Sequence, residues 1–144
     1  MKIGRDGLVA GVRYVASPNC NERAPGVSVT LLVVHAISLP PGEFAGDAVE
    51  RLFTNRLDPA AHACLRAVHE LNVSAHFFVR RDGSLIQFVP VWQRAWHAGA
   101  SIWRGRAGCN DFSVGVELEG ADECAFEDAQ YLRLAELASA LRAV

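Results

Sequence analysis

His35 and Glu117 are the two residues of this sequence whose chemistry is at odds with their surroundings. Four consecutive branched apolar residues, Leu31 to Val34, run directly into His35, and a Pro40-Pro41-Gly42 turn follows. In FSVGVELEG, Phe112 to Gly120, the carboxylate of Glu117 falls among Val114, Val116 and Leu118. Ligands of α/β sheets bind beyond the carboxyl ends of the strands, where His35 falls, which makes it a candidate ligand. A core histidine donating to a backbone carbonyl explains the same pattern. Two-residue alternation puts Ser113, Gly115, Glu117 and Glu119 on one face of the strand. If that face is covered, an ionised Glu117 is costly and its pKa moves upward, a property suited to general base work. If it is open, both glutamates simply point at water. Gly115, on the same face, leaves space for a ligand or another stretch of backbone to approach Glu117.

A third group of candidates lies in RAWHAGASIW, Arg94 to Trp103, where two tryptophans and a histidine stand among small residues in an expected loop. Small residues admit a ligand, and Trp96 offers a flat apolar surface for a sugar ring or acyl chain; anchoring the loop on the core is the alternative role for that side chain. His76 reads as structural, and His62 and His69 as solvent-facing or locally paired. No H-E-x-x-H or close histidine pair is present. A zinc site within the chain would have to be assembled from His35, His76, His97 and Glu117 across distant segments. Cys20, Cys64, Cys109 and Cys124 form no C-x-x-C pair and are expected as free thiols.

Strands and helices must bring these groups together. Val29 to Ile37 reads as a strand covered on both faces, because its apolar character is nearly continuous. Asp47 to Asn55 predicts a helix capped by Asp47, with Val49, Leu52 and Phe53 on one side. Leu57 to Asn72 reads as loop followed by a short helical turn. His76 to Val89 predicts a hairpin around Asp82-Gly83, where glycine supplies the positive φ. Phe112 to Leu118 is a further strand. From Asp128 onward, Tyr131, Leu134, Ala138 and Leu141 recur at helical spacing, and the pattern runs to Val144 without Gly, Asn or Pro to stop it. Pro18 to Pro25 and Pro90 to Asn110 read as loops. The sum is a single α/β domain with a mixed central sheet flanked by helices.

Composition narrows the partners. The 144 residues carry 14 basic and 16 acidic side chains, for a net charge of −2, and these are interspersed along the chain. No basic footprint for nucleic acid or an anionic membrane surface results. Charges at Lys2, Arg5, Asp6 and Arg13 interrupt any signal-peptide core, and no apolar run reaches membrane-spanning length. A cytoplasmic monomer is expected.

Taken in order, SPNCNERAPG, LLVVHAISLPPGEF, VSAHFFVRRDGSLIQFVP, RAWHAG and CNDFSVGVELEG resemble the AmpD-type amidases over almost the whole chain. These are zinc-dependent N-acetylmuramoyl-L-alanine amidases related to peptidoglycan recognition proteins. The resemblance implies a mixed sheet flanked by helices. It also implies hydrolysis of the amide joining the lactyl group of (anhydro-)N-acetylmuramic acid to L-Ala of the stem peptide. It makes His35 the first zinc ligand, Glu117 the catalytic general base or acid, and Trp96 and His97 part of the cleft that takes the muropeptide.

Three departures accompany it. The family's other two zinc ligands lie after the long helix, in a Gly-His stretch and a Pro-Gly-Arg-Lys-x-Asp-Pro-Gly segment, and neither occurs before Val144. The chain is therefore expected to be cut short at its C-terminus, with the remaining ligands beyond Val144. The Asn that commonly follows the first histidine is Ala36 here. Two positions that are often basic, and that serve the acidic stem peptide, are Asn72 and Gly108. A catalytically silent muropeptide-binding module is the second reading these departures support, and a zinc hydrolase of another amide is a third.

Overall fold

The structure, a computed structural model, describes residues 1–143. Nine strands form among the described residues, numbered in chain order: β1 Arg13–Tyr14, β2 Cys20–Glu22, β3 Leu31–Ile37, β4 Phe77–Val79, β5 Leu85–Gln87, β6 Gln93–Ala95, β7 Ile102–Trp103, β8 Arg106–Ala107 and β9 Ser113–Glu119. Two α-helices, α1 Ala48–Phe53 and α2 Asp128–Leu141, join short 3₁₀ turns at Ala63–Ala67 and Cys109–Phe112.

The two apolar runs that carry His35 and Glu117 become neighbours. The main sheet has the order β1-β5-β4-β9-β3, with β9 parallel to both β3 and β4, and β4 antiparallel to β5. It is the mixed sheet expected. One face packs Phe77, Val79, Val114, Val116 and Leu118 against Leu137 of α2. The other packs Phe78, Ile86 and Phe88 against Val49, Leu52 and Phe53 of α1 and against Leu65. Burial on both sides explains why β9 is covered along its whole length. The Asp82-Gly83 turn closes the β4–β5 hairpin as expected, with Gly83 at φ +79°.

Several local expectations are corrected. Asp47 precedes α1 but makes no side-chain cap; its carboxylate takes Arg51 Nε at 2.8 Å instead. The supposed loops at Pro18–Pro25 and Pro90–Asn110 contain the antiparallel ribbon β2–β6, paired Cys20↔Ala95 to Glu22↔Gln93, and the small hairpin β7–β8. Arg104 (φ +49°) and Gly105 (φ +80°) turn that hairpin. Strand β3 starts at Leu31 rather than Val29, although Thr30 N–H already donates to Phe112 O at 2.9 Å. Helix α2 ends at Leu141; Val144, to which its pattern was expected to run, lies outside the described residues.

The buried stripe of α2 is also offset from the one expected. Tyr131 is 53% exposed, whereas Gln130, Leu137 and Ala140 are buried and Leu134 and Leu141 pack beside them. Gln130 enters the core because its side chain is saturated there. Its Nε2 donates to Val79 O at 3.2 Å and Glu119 O at 3.0 Å, and its Oε1 accepts from Glu127 N–H at 3.0 Å. One amide thus starts the helix and closes the ends of β4 and β9. Gln130→Leu leaves those carbonyls without partners and is expected to cost about 3 kcal/mol. Urea denaturation of the two proteins measures it.

Candidate active site

Register places the two conspicuous residues side by side. In the parallel pair β3–β9, His35 is opposite Glu117, flanked by Val33↔Gly115 and Ile37↔Glu119. Paired residues of neighbouring strands share a face, so His35, Gly115 and Glu117 lie on one side of the sheet.

That side is not solvated. Glu117 is 8% exposed and Glu119 is 4% exposed, yet the two carboxylates are treated very differently. Glu119 is saturated: Oε1 accepts from Ala45 N–H at 2.7 Å, Oε2 from Arg81 N–H at 3.1 Å, and Arg80 Nη1 lies 3.6 Å away. Its role is to tie down the loops at the end of the sheet. Oε2 of Glu117 is buried with no hydrogen-bond partner among the described residues. Burial raises the Glu117 carboxyl to about 7, where it can both accept and return a proton at neutral pH.

Gly115 does provide the space expected of it, and an imidazole fills that space. A Cβ at residue 115 would fall 2.7 Å from His97 Nδ1 and closer still to the ring carbons. The segment carrying His97 is held over the sheet by Asn110, whose Oδ1 accepts from both His97 N–H at 3.0 Å and Ala98 N–H at 2.8 Å. Arg23 in turn fixes the turn entering β9, donating to the carbonyls of Asn110, Asp111 and Ser113 at 3.0, 2.8 and 2.7 Å. His97 Nδ1 stands 2.9 Å from His35 Nε2, and its Nε2 stands 3.1 Å from Ser113 Oγ. Burial first, and then the proximity of His35, Arg23 and Arg94, pushes His97 down to about 3. Burial also lowers His35. The His97 ring is neutral at pH 7, and burial favours the neutral form of His35 as well.

His76 is structural, as expected. Its Nδ1 accepts from Gly115 N–H at 3.0 Å, so its proton is on Nε2, which lies 3.0 Å from Gln93 O. The Arg23 Nη2 atom, 3.2 Å from that nitrogen, is then a neighbour and not a hydrogen-bond partner. His62 pairs locally with the backbone N–H of Cys64, and His69 with the carbonyl of Arg66.

A cleft of about 670 Å³ opens beside these groups, lined by the edge strand β3 together with His35, His97, Ile102 and Trp103. Its size suits a small ligand. Trp96 is half-buried and anchored: its Nε1 donates to Asn21 Oδ1 at 2.7 Å and its N–H to Ser74 Oγ at 3.1 Å. Trp103, which the sequence singled out only as the last residue of the Arg94–Trp103 candidate segment, is 50% exposed on the cleft. The signal for it was the Arg104-Gly105 pair between short β-prone runs. Ser113 and Asn110 carried no such signal, since their partners come from a distant loop.

The donor set does not complete a zinc site. Among the described residues no three His, Cys, Asp or Glu side chains converge in a way that could hold a metal ion. Both nitrogens of His76 and both of His97 are engaged, and this leaves His35 as a lone imidazole donor. Three protein ligands are the usual requirement of a catalytic zinc.

An imidazole at a strand end beside a buried carboxyl near neutral pKa, on the wall of an open cleft, is equipment for general acid–base hydrolysis. The chain belongs to the N-acetylmuramoyl-L-alanine amidase family, whose profile matches residues 23–143. It is 52% identical over 135 residues to the 1,6-anhydro-N-acetylmuramyl-L-alanine amidase AmpD of Escherichia coli K12, covering 94% of this chain and 74% of that one. A crystal structure of a selenomethionine derivative of AmpD superimposes with a TM-score of 0.95 at 50% identity, covering 98% of this chain and 78% of the other. The Escherichia coli amidase AmiD, solved with its substrate anhydro-N-acetylmuramic acid-L-Ala-D-gamma-Glu-L-Lys, gives 0.54 at 26% identity, over 85% of this chain and 47% of AmiD. The mixed sheet and flanking helices are thus those of the family.

Proposed function

We propose that this chain carries the working part of a zinc-dependent amidase. It hydrolyses the amide between anhydro-N-acetylmuramic acid and the L-Ala of the stem peptide, in cytoplasmic recycling of cell-wall muropeptides. The observation that carries the reading is the pairing of His35 with Glu117 across β3 and β9, with one oxygen of that carboxyl buried and unpartnered. The likeness to AmpD supports the substrate. In this reading Glu117 takes a proton from the attacking water and returns it to the departing amine of L-Ala, so both transfers use one group poised near 7. His97 and Trp96 shape the wall against which the muropeptide lies. The protein acts as a monomer.

His35 is the zinc ligand this chain supplies. In this reading its two partners are not among the described residues; the match spans 74% of the length of the Escherichia coli relative. The protein made from its complete reading frame, incubated with zinc and an anhydromuramyl tripeptide, is expected to release free tripeptide, detected by mass spectrometry. Unchanged substrate defeats the proposal. Residues 1–144 alone should take up zinc only weakly in competition with a chromophoric chelator, because one imidazole does not replace a three-ligand site. Tight one-to-one uptake by that chain means that the ligands are misassigned.

A further inference from the structure

The hairpin β7–β8 carries a tryptophan that no structural role accounts for. Trp92 and Trp96 each give the indole N–H to the protein, to Arg5 O at 3.1 Å and to Asn21 Oδ1 at 2.7 Å, whereas that of Trp103 has no partner among the described residues. Val34 of the edge strand β3, Ile102 and Trp103 are all exposed, and all three line the same cleft. Large apolar side chains left open to water along one concave wall mark a binding surface.

The hairpin is nonetheless held firmly. Gly108 N–H donates to Ser101 O at 2.8 Å and Cys109 N–H to Ser101 Oγ at 3.1 Å, which closes its base. Arg106, paired with Trp103 across the hairpin, sets its guanidinium 3.9 Å from the centroid of Phe112, a buried ring at the entry to β9. The guanidinium of Arg104 lies 5.7 Å from the centroid of the Trp103 ring and covers one face of the indole. The other face is fixed in place before any ligand arrives, so little ordering is left to be done on binding.

We propose that Trp103 is a specificity-determining residue of the cleft, the platform on which the sugar ring of the muropeptide lies. The inference deepens the amidase reading and rests on it, since it takes the amide to be cut to sit at His35 and Glu117. One half of the substrate then lies along β3 and the hairpin. The peptide half carries carboxylates and amines, while the anhydro sugar, joined through its lactyl amide, is uncharged. No Lys, Arg, Asp or Glu of the described residues lines the cleft, and His97 is neutral at pH 7. Charged groups entering it would lose hydration without gaining a partner. A sugar ring instead lays an apolar C–H face on the indole and keeps its polar groups towards water.

Titrations of chelator-treated protein, followed by backbone ¹H–¹⁵N shifts, test this independently of any turnover. The probes are the methylamide of 1,6-anhydro-N-acetylmuramic acid for the sugar half and the tripeptide L-Ala-D-γ-Glu-L-Lys for the other. Trp103→Ala is expected to weaken binding of the sugar methylamide about tenfold and to leave the tripeptide within about twofold of wild type. Trp103→Phe restores an aromatic face and should recover the sugar affinity to within about threefold. Trp103→Leu, apolar but not aromatic, should not recover it, and serves in place of alanine should that variant fail to fold. With the anhydromuramyl tripeptide as substrate, Trp103→Ala should raise KM and leave kcat nearly unchanged, as loss of uniform binding does. Sugar affinity unchanged in Trp103→Ala, or a loss confined to the tripeptide, overturns the proposal. So does self-association of the wild type that Trp103→Ala abolishes while sugar binding persists, because a second copy then covers the patch. Sugar binding that depends on Trp103 in a protein without amidase activity defeats the amidase reading alone. An active amidase whose KM and sugar affinity ignore Trp103 defeats the platform alone.

Discussion

Replacing Glu117 with glutamine is expected to lower turnover of an anhydromuramyl peptide by about 10³-fold, the range seen when a general acid–base group is removed. KM should stay within a few-fold, since the substitution keeps the shape of the side chain. The assay uses the protein from its complete reading frame, saturated with zinc, with released peptide quantified by chromatography. Activity within tenfold of wild type means that the proton is handled elsewhere. Stability should move in the opposite direction. In the folded protein the carboxyl titrates near 7, against 4.5 for the ordinary group. Between those values the native state holds a proton that the unfolded chain has released, so wild-type stability falls as pH rises from about 4.5 through 7. Glutamine does not titrate. In zinc-free buffer Glu117→Gln should therefore be more stable than wild type at pH 8, by on the order of 3 kcal/mol, and should lose that advantage at pH 4. Urea titrations at the two pH values decide it, and equal stability differences at both would show that the carboxyl is not held in a desolvated place.

Gly115→Ala is expected to disrupt the site through a single added methyl. The added carbon lands on the imidazole of His97, whose backbone is pinned by Asn110 and whose nitrogens are tied to His35 and Ser113. The strand beneath is fully buried and paired on both sides, so it has nowhere to go. Overpacking of this kind costs about 1–3 kcal/mol, and the ring, not the strand, should yield. The functional loss then exceeds the loss of stability: turnover is expected to fall at least ~100-fold, because an ångström of displacement beside the reacting groups is that costly. A far-ultraviolet spectrum like that of wild type, together with the lost activity, would separate displacement from unfolding. Full activity would show that the His97 segment shifts freely.

The parts of this protein that could be read in advance are those whose signal is local. Strands β3 and β9, the β4–β5 hairpin and the two helices each announce themselves through an apolar run, an Asp-Gly pair or helical periodicity. His35 and Glu117 stood out because each interrupts such a run with a group that burial penalises. The ribbon β2–β6 was not legible, since Asn21, Glu22, Gln93 and Arg94 carry no alternation and pair only because the rest of the fold delivers them. The same holds for Ser113 and Asn110, ordinary polar residues until the loop from residue 94 is laid over them. Gln130 defeated the helical stripe for a related reason: hydropathy ranks it as surface, while three hydrogen bonds make it core. Glu119 shows the limit from the other side. Nothing in VELEG distinguishes it from Glu117; only the arrival of Ala45 and Arg81 makes one carboxylate a fastener and leaves the other free to react.

The distance between His35 and Glu117 is a property of the β-ladder and of nothing else. Two neighbouring strands in parallel register keep their paired residues one strand spacing apart, roughly 4.8 Å between backbones, whatever happens to the chain that connects them. Surface segments between residues 35 and 117 that neither pair in the sheet nor hold His97, such as the β7–β8 hairpin beside the cleft, can lengthen, shorten or change composition without moving the His35–Glu117 pair. Descent with modification can therefore rewrite what the cleft recognises while the chemistry stands still. An engineer can do the same: grafting a different loop between β7 and β8 should retune the preferred ligand without redesigning the centre.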